Sequence, residues 1–127
     1  MNEVNVLIVD DEAELRKSVA SILGTTMPEY LFRISEAGTG QEAIDRVRAK
    51  DFDLVLMDVV MPRMNGFEAC KRMRQQPSTR EIPIVLVTTR GEESYMEAGF
   101  QSGCNDYITK PVDGAELVAL LQSYLGE

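Results

Sequence analysis

Leu54-Val55-Leu56-Met57-Asp58 and Ile84-Val85-Leu86-Val87-Thr88 are the two stretches whose reading decides the fold. Each is four consecutive apolar residues followed by a polar one. A strand with one face in water alternates apolar and polar residues, whereas a strand covered on both faces does not. The two runs therefore predict central strands of a parallel sheet clad by helices on both sides. Working outward, three weaker runs read as further strands: Val4 to Val9, Leu31 to Ser35, and Tyr107 to Ile108.

The segments between the runs carry helical signals. Leu15, Val19 and Ile22 recur at helical spacing after the first run. Thr39 and Glu42 stand at capping-box spacing ahead of Ala43, Ile44 and Val47. Asn65 can cap a helix whose inward face is Phe67, Cys70 and Met73. A segment near Glu92 to Ser102 is a weaker helix because Gly99 interrupts it. The last helix opens with Asp113 and Glu116 and continues through Leu117, Leu120, Leu121 and Tyr124. Five strand–helix units in succession predict an α/β doubly wound sheet in one domain spanning 1–127. No internal repeat, low-complexity tract or linker interrupts them.

Composition narrows the function. The 127 residues are 44% hydrophobic and carry a formal charge of −8, which argues against direct nucleic acid binding or attachment to an anionic membrane. The apolar runs are too short to span a bilayer, and Met1 leads almost directly into a strand, leaving no room for a signal peptide. Two cysteines, Cys70 and Cys104, make no disulfide framework, so a reducing cytoplasm is expected. Histidine is absent, which excludes Ser-His-Asp catalysis, histidine-based zinc sites and a phosphohistidine on this chain.

Ligands of open α/β sheets bind beyond the carboxyl ends of the strands. The first run ends in Asp10-Asp11, the third in Asp58, the fourth in Thr88-Thr89 and the fifth in Thr109-Lys110-Pro111. Each residue has an ordinary reading alone: a helix cap, a turn cap, a strand-end threonine, a solvated lysine. Together they bring three carboxylates, a hydroxyl and an ammonium to one edge. Like charges about 4 Å apart repel by about 4 kcal/mol at an effective dielectric near 20. Lys110 offsets one charge, and a small divalent cation offsets the others. Magnesium suits few carboxylates because it keeps waters and shares phosphate oxygens, whereas calcium wants about 6–8 oxygen ligands.

At these residues the chain resembles the receiver domains of two-component response regulators, chemotaxis regulators included. The matching blocks are VLIVDDE (6–12), DLVLMDVVMPRMNG (53–66), IPIVLVTT (82–89) and NDYITKP (105–111). The resemblance covers essentially the whole chain, and the four blocks in order are far more specific than any one. It implies a flavodoxin-like (βα)5 fold with parallel strand order 2-1-3-4-5. It implies that Asp58 accepts a phosphoryl group, from a histidine kinase or a histidine phosphotransfer protein. Asp10, Asp11, Asp58 and the Val60 carbonyl would hold Mg2+, and Lys110 would contact the phosphate. Thr88 and Tyr107 would switch a downstream protein, an output domain or a phosphorylation-dependent dimer. The surface around the segment 92–102, the fifth strand and the last helix would carry the readout. The chain would be no enzyme beyond its own phosphorylation and dephosphorylation. A cis bond between Lys110 and Pro111 is also implied.

Four positions depart from the family pattern. Thr89 replaces alanine or another small residue, Val112 stands where phenylalanine is frequent, Val60 is apolar and Arg90 is basic. The first and the last two predict a long-lived phosphorylated form, because no side chain at Val60 orients a hydrolytic water and Thr89 and Arg90 shield the phosphoryl group. An aspartyl-phosphate phosphatase or phosphotransferase is the competing class; it commonly carries Asp-x-Asp after the first strand, where this chain has adjacent Asp10-Asp11. A flavodoxin-like electron carrier would need a phosphate-cradling loop, and no G-x-x-x-x-G-K-[ST] or G-x-G-x-x-G motif supports a nucleotide site.

Overall fold

A computed structural model describes residues 2–89 and 101–125. The elements run β1 (Asn2–Val9), α1 (Ala13–Thr26), β2 (Tyr30–Ala37), α2 (Gly40–Ala49), β3 (Leu54–Asp58), α3 (Gly66–Arg74), β4 (Ile84–Thr89), β5 (Asp106–Lys110) and α4 (Gly114–Leu125). The five strands form one parallel sheet in the order β2-β1-β3-β4-β5. This is the doubly wound order that the resemblance implies. The helix expected near 92–102 lies, but for its last two residues, outside the described residues.

Burial follows the strand pattern. Every residue of β3 is buried, as its apolar run predicts. Alternate residues feed two cores. Leu7, Val9, Val55, Met57, Ile84 and Leu86 pack with α2 and α3 on one face. Val6, Ile8, Leu54, Leu56, Val85 and Val87 pack with α1 and α4 on the other. The strands outrun their apolar runs by one or two residues, because ladder pairing continues through Asp58, Thr88, Thr89, Thr109 and Lys110. Asp58, Thr88, Tyr107 and Lys110 thus sit on rungs of the sheet, where the backbone is fixed, while Asp10, Asp11 and Val60 follow just beyond the strand ends.

Two helix caps form at the expected residues. Glu42 N–H donates to Thr39 Oγ1 at 3.0 Å, and Glu68 N–H donates to Asn65 Oδ1 at 2.9 Å. The Glu42 carboxylate accepts from Gly38 N–H rather than from the cap residue itself. Ala43, Ile44, Val47, Cys70 and Met73 are buried as their spacing predicts, while Phe67 is half-buried. On α1 the buried residue is Leu23. Leu15, Val19 and Ile22 stay half-buried because they line a cleft of about 370 Å³ between α1 and the segment leading from β5 into α4, with Lys110, Pro111 and Val112 on its wall.

The turn from β3 into α3 depends on Gly66. Its N–H donates to Val59 O at 2.8 Å, folding the loop back onto the strand end. A Cβ built there would lie 2.5 Å from Asp58 O and 3.0 Å from Val59 Cα. Backbone atoms cannot swing aside as a flexible side chain can, so the loop itself would have to shift. Gly66→Ala is expected to cost about 1–3 kcal/mol, the usual range for forcing extra atoms into a filled space. Urea unfolding of the two proteins checks this; equal stabilities would mean the loop accommodates a methyl group freely.

Candidate functional site

The parallel register brings three strand ends to one level. Val9 pairs with Met57, so Asp10 and Asp58 follow side by side. Asp10 N–H donates to Ala37 O at 3.1 Å, closing the last rung of the β1–β2 ladder. Asp10 Oδ1 then accepts from Glu12 N–H at 2.9 Å, which turns the chain into α1. Neither aspartate caps that helix: the cap residue is Glu12, which makes no side-chain cap bond. Asp11 is left exposed at the rim, while Asp10 and Asp58 are buried.

Asp10, Asp11 and Asp58 each place a carboxylate oxygen within 4.8 Å of the others. Lys110 reaches between two of them. Its Nζ lies 3.0 Å from Asp10 Oδ2 and 3.3 Å from Asp58 Oδ1. One ammonium thus serves two carboxylates and leaves the cluster anionic. The Asp58 carboxyl is pushed up to about 6: burial raises it most, Asp10 and Asp11 add to the rise, and Lys110 opposes it. Burial also disfavours the Lys110 ammonium, but the bonds to Asp10 and Asp58 outweigh it and hold that group above its ordinary value.

The remaining expected residues fall around this cluster. Thr88 is buried and pairs with Thr109, one rung beyond the pairing of Asp58 with Val87. Tyr107 is half-buried, pairs with Leu86 and packs against the α2/α3 core. Val60 is 52% exposed, two residues beyond Asp58. The Lys110–Pro111 bond is cis, as the resemblance implies. Arg90 lies outside the described residues.

Arg16 was not singled out by sequence. Its Nη1 donates to the Asp10 carbonyl at 2.6 Å and its Nε donates to Glu36 Oε1 at 2.8 Å. With a side chain only 19% exposed, it ties the end of β2 to the acidic turn. The available signal was a basic residue just over one turn into a helix that follows two aspartates.

Comparison with known proteins places this geometry in a family. The profile of the response regulator receiver domain matches residues 6–122, and the chain belongs to that family. Transcriptional regulatory protein ResD of Bacillus subtilis is 36% identical over 124 residues, covering 98% of this chain and 49% of ResD. Transcriptional regulatory protein SrrA of Staphylococcus aureus is 34% identical over 120 residues, covering 94% of this chain and 47% of SrrA. The chain therefore spans about half the length of the curated relatives it matches. Among solved structures, the receiver domain of a Pseudomonas aeruginosa sensor histidine kinase superposes with a TM-score of 0.86 at 27% identity, covering 98% of this chain and 99% of that one; it holds a magnesium ion in its active-site cleft. A chemotaxis response regulator of Vibrio cholerae superposes with a TM-score of 0.85 at 29% identity, covering 97% and 99%. The chain is a receiver domain of two-component response regulators. Among the described residues no helix is long and apolar enough to cross a membrane.

The raised Asp58 carboxyl makes a pH-dependent cost in the metal-free protein. Below about pH 4 the group is protonated both folded and unfolded, and contributes nothing. From there to about pH 6 only the unfolded chain releases the proton, so stability falls; above pH 6 the full cost persists. Asp58→Asn, which mimics the neutral form, is expected to stabilise the metal-free protein by about 1–2 kcal/mol at pH 7.5, allowing for solvent screening at the open edge. The gain should fade as pH approaches 4. Chemical denaturation in a chelating buffer at both pH values measures it, and a gain that is larger in acid would contradict the proposed origin.

Proposed function

We propose that Asp58 is the phosphoryl acceptor and that Mg2+ binds beside it, held by Asp10, Asp11, Asp58 and the carbonyl of Val60. The observation that carries this reading is the convergence of three carboxylate oxygens within 4.8 Å with one ammonium shared between two of them. The donor set fits the ion: hard oxygen ligands, too few for calcium, and a net negative charge that a divalent cation would offset. Bound there, the cation would neutralise charge on the phosphoryl oxygens. The residues 1–127 act as one phosphoacceptor unit, and the output lies in a partner or in a domain beyond them.

The donor is a phosphohistidine of a histidine kinase or phosphotransfer protein. An Asp58 oxygen attacks phosphorus in line with the departing imidazole nitrogen. The O–P bond forms, the P–N bond breaks, and the electron pair returns to the imidazole. Asp10 and Asp11 hold the acidic side of the site. Lys110, already within reach of Asp58, stays near the transferred group and offsets its charge. Such catalysis is positioning and electrostatics, with no proton relay of the kind that the absent histidines would provide. The adjacent Asp10-Asp11 pair, in place of Asp-x-Asp, favours self-phosphorylation over turnover of a phosphate ester.

Incubation with acetyl phosphate and Mg2+ should add one phosphoryl group, seen by mass spectrometry of the intact chain. Asp58→Asn should not be modified; modification equal to the parent's would place the acceptor elsewhere.

The switch reading rests on the sheet. Strand alternation puts Thr88 on the same face as Leu86 and Ile84, and Tyr107 packs on that face two rungs earlier. Thr88→Ala is expected to accept phosphate at Asp58 yet lose most phosphorylation-dependent partner binding or dimerisation. Sedimentation with and without the phosphodonor would read the dimer, and pull-down with the cognate output would read the partner. A full response in that variant would remove Thr88 from the switch.

A further inference from the structure

We propose that the groove between α2 and α3 docks an acidic, extended segment of a partner protein. The chain as a whole is strongly acidic, yet its charge is segregated. Residues 46–80 hold eight of the 13 lysines and arginines but only four of the 21 carboxylates. Much of that positive charge is presented along one groove. Arg48 from α2 and Lys71 and Arg72 from α3 line a space of about 620 Å³. Gln41, Gln75 and Gln76 complete its walls with side chains that can donate hydrogen bonds to carboxylates. The single carboxylate in the groove, Glu68, is already paired with Arg72 at 2.8 Å. Arg48 and Lys71 have no carboxylate partner among the described residues.

The groove does not stop there. Gln41 and Glu68 also line a second depression, which continues to Arg63 in the loop after Asp58. Arg63 has a left-handed backbone, with φ at 68°, and is exposed. Helices of nine and ten residues are about 15 Å long, the span of four or five residues in extended conformation. The groove thus matches a short strand of carboxylates rather than a point anion.

Charge complementarity selects the occupant. Three arginines and one lysine facing a single paired carboxylate make a local positive field on a molecule that otherwise repels anions. A second copy of this chain is a poor occupant. Its acidic surfaces lie elsewhere than this groove, so the contact would join two different patches and would propagate rather than close. Flexible, exposed side chains with no array of backbone N–H donors also suit carboxylates on a peptide better than a phosphate cage. The groove is separate from Asp58, so docking and phosphoryl acceptance can be tested apart.

The probe is a hexapeptide of alternating Asp and Glu, capped at both ends and bearing an uncharged fluorophore, titrated against the whole chain. Fluorescence anisotropy should show binding that weakens as salt is raised. Amide resonances of residues 41–48 and 68–76 should be those that shift. Arg48→Glu with Lys71→Glu should weaken binding at least about tenfold. Lys17→Glu with Arg33→Glu, an equal change in net charge on other elements, should leave it largely intact. Arg48→Gln with Lys71→Gln should fall between, and the groove variants should keep the parent's melting behaviour and still accept phosphate at Asp58. Equal binding by the reversed groove, or shifts mapping to another face, would overturn the proposal. So would tighter binding of an oligothymidylate of the same charge that is lost in the same variant, which would make the groove a site for phosphate polyanions. Self-association of the parent that disappears in the variant would assign the groove to a second copy and would overturn it as well.

Discussion

Three carboxylates converge at the end of one sheet with one lysine bridging two of them, and the rest of the site depends on that arrangement. At separations up to 4.8 Å, each pair of ionised carboxylates repels by about 3–4 kcal/mol at an effective dielectric near 20. Lys110 bridges Asp10 and Asp58, which removes much of the cost but leaves negative charge over. That residue of charge adds to burial, the larger cause, in making Asp58 give up its proton reluctantly, at about 6. It is also why a cation would bind. A site fully neutralised by protein groups would be stable and inert. Here the sheet holds the strand ends in register, and the loops held by Gly66 and Arg16 keep the acidic residues from moving apart.

The fold was legible because both faces of the sheet are covered. Covered strands cannot alternate, so Leu54–Met57 and Ile84–Val87 announced themselves without reference to any helix. The caps at Thr39 and Asn65 were legible for a different reason: a short polar side chain must satisfy orphan N–H groups at a fixed offset. Strand ends were less clear. Polar residues such as Asp58 and Lys110 stop an apolar run but do not stop ladder pairing, which uses backbone groups alone. Leu15, Val19 and Ile22 share the same helical spacing as a core face, yet they border a cleft, since periodicity reports which side faces inward and not how well that side is filled.

The candidate site was legible as residue types at strand ends, and its geometry was not. That Lys110 approaches Asp10 more closely than Asp58 is a matter of tenths of an ångström, which residue types do not encode. Arg16 escaped notice because it binds a carbonyl, a group every residue carries, and so leaves no pattern in the sequence. The same reasoning explains the groove between α2 and α3. Arg48 and Lys71 stand far apart along the chain, and each alone reads as a solvated surface residue. Only the packing of the two helices makes them neighbours.

The division of the sheet into two faces bears on how phosphorylation could be transmitted. Asp10, Asp58 and Lys110 share the parity of the residues that pack on α1 and α4, whereas Thr88 and Tyr107 share that of the α2/α3 core. On the proposed reading, a phosphoryl group on Asp58 would stand at the sheet's carboxyl edge, where a side chain from either face could reach it. Only contacts that differ between the two states shift their balance. Lys110 already touches Asp58, so its differential contribution is small. A new bond from the Thr88 hydroxyl to a charged phosphoryl oxygen would contribute about 1.5–3 kcal/mol. Driving a closed switch from about 1:99 to 99:1 takes about 5.5 kcal/mol. Thr88 alone therefore falls short by about half. Either the active state is already populated before phosphorylation, or a second contact on the same face supplies the difference. Tyr107, two rungs back from Thr88 on the same face and only half-buried, is placed to give that contact by repacking rather than by reaching the phosphoryl group itself.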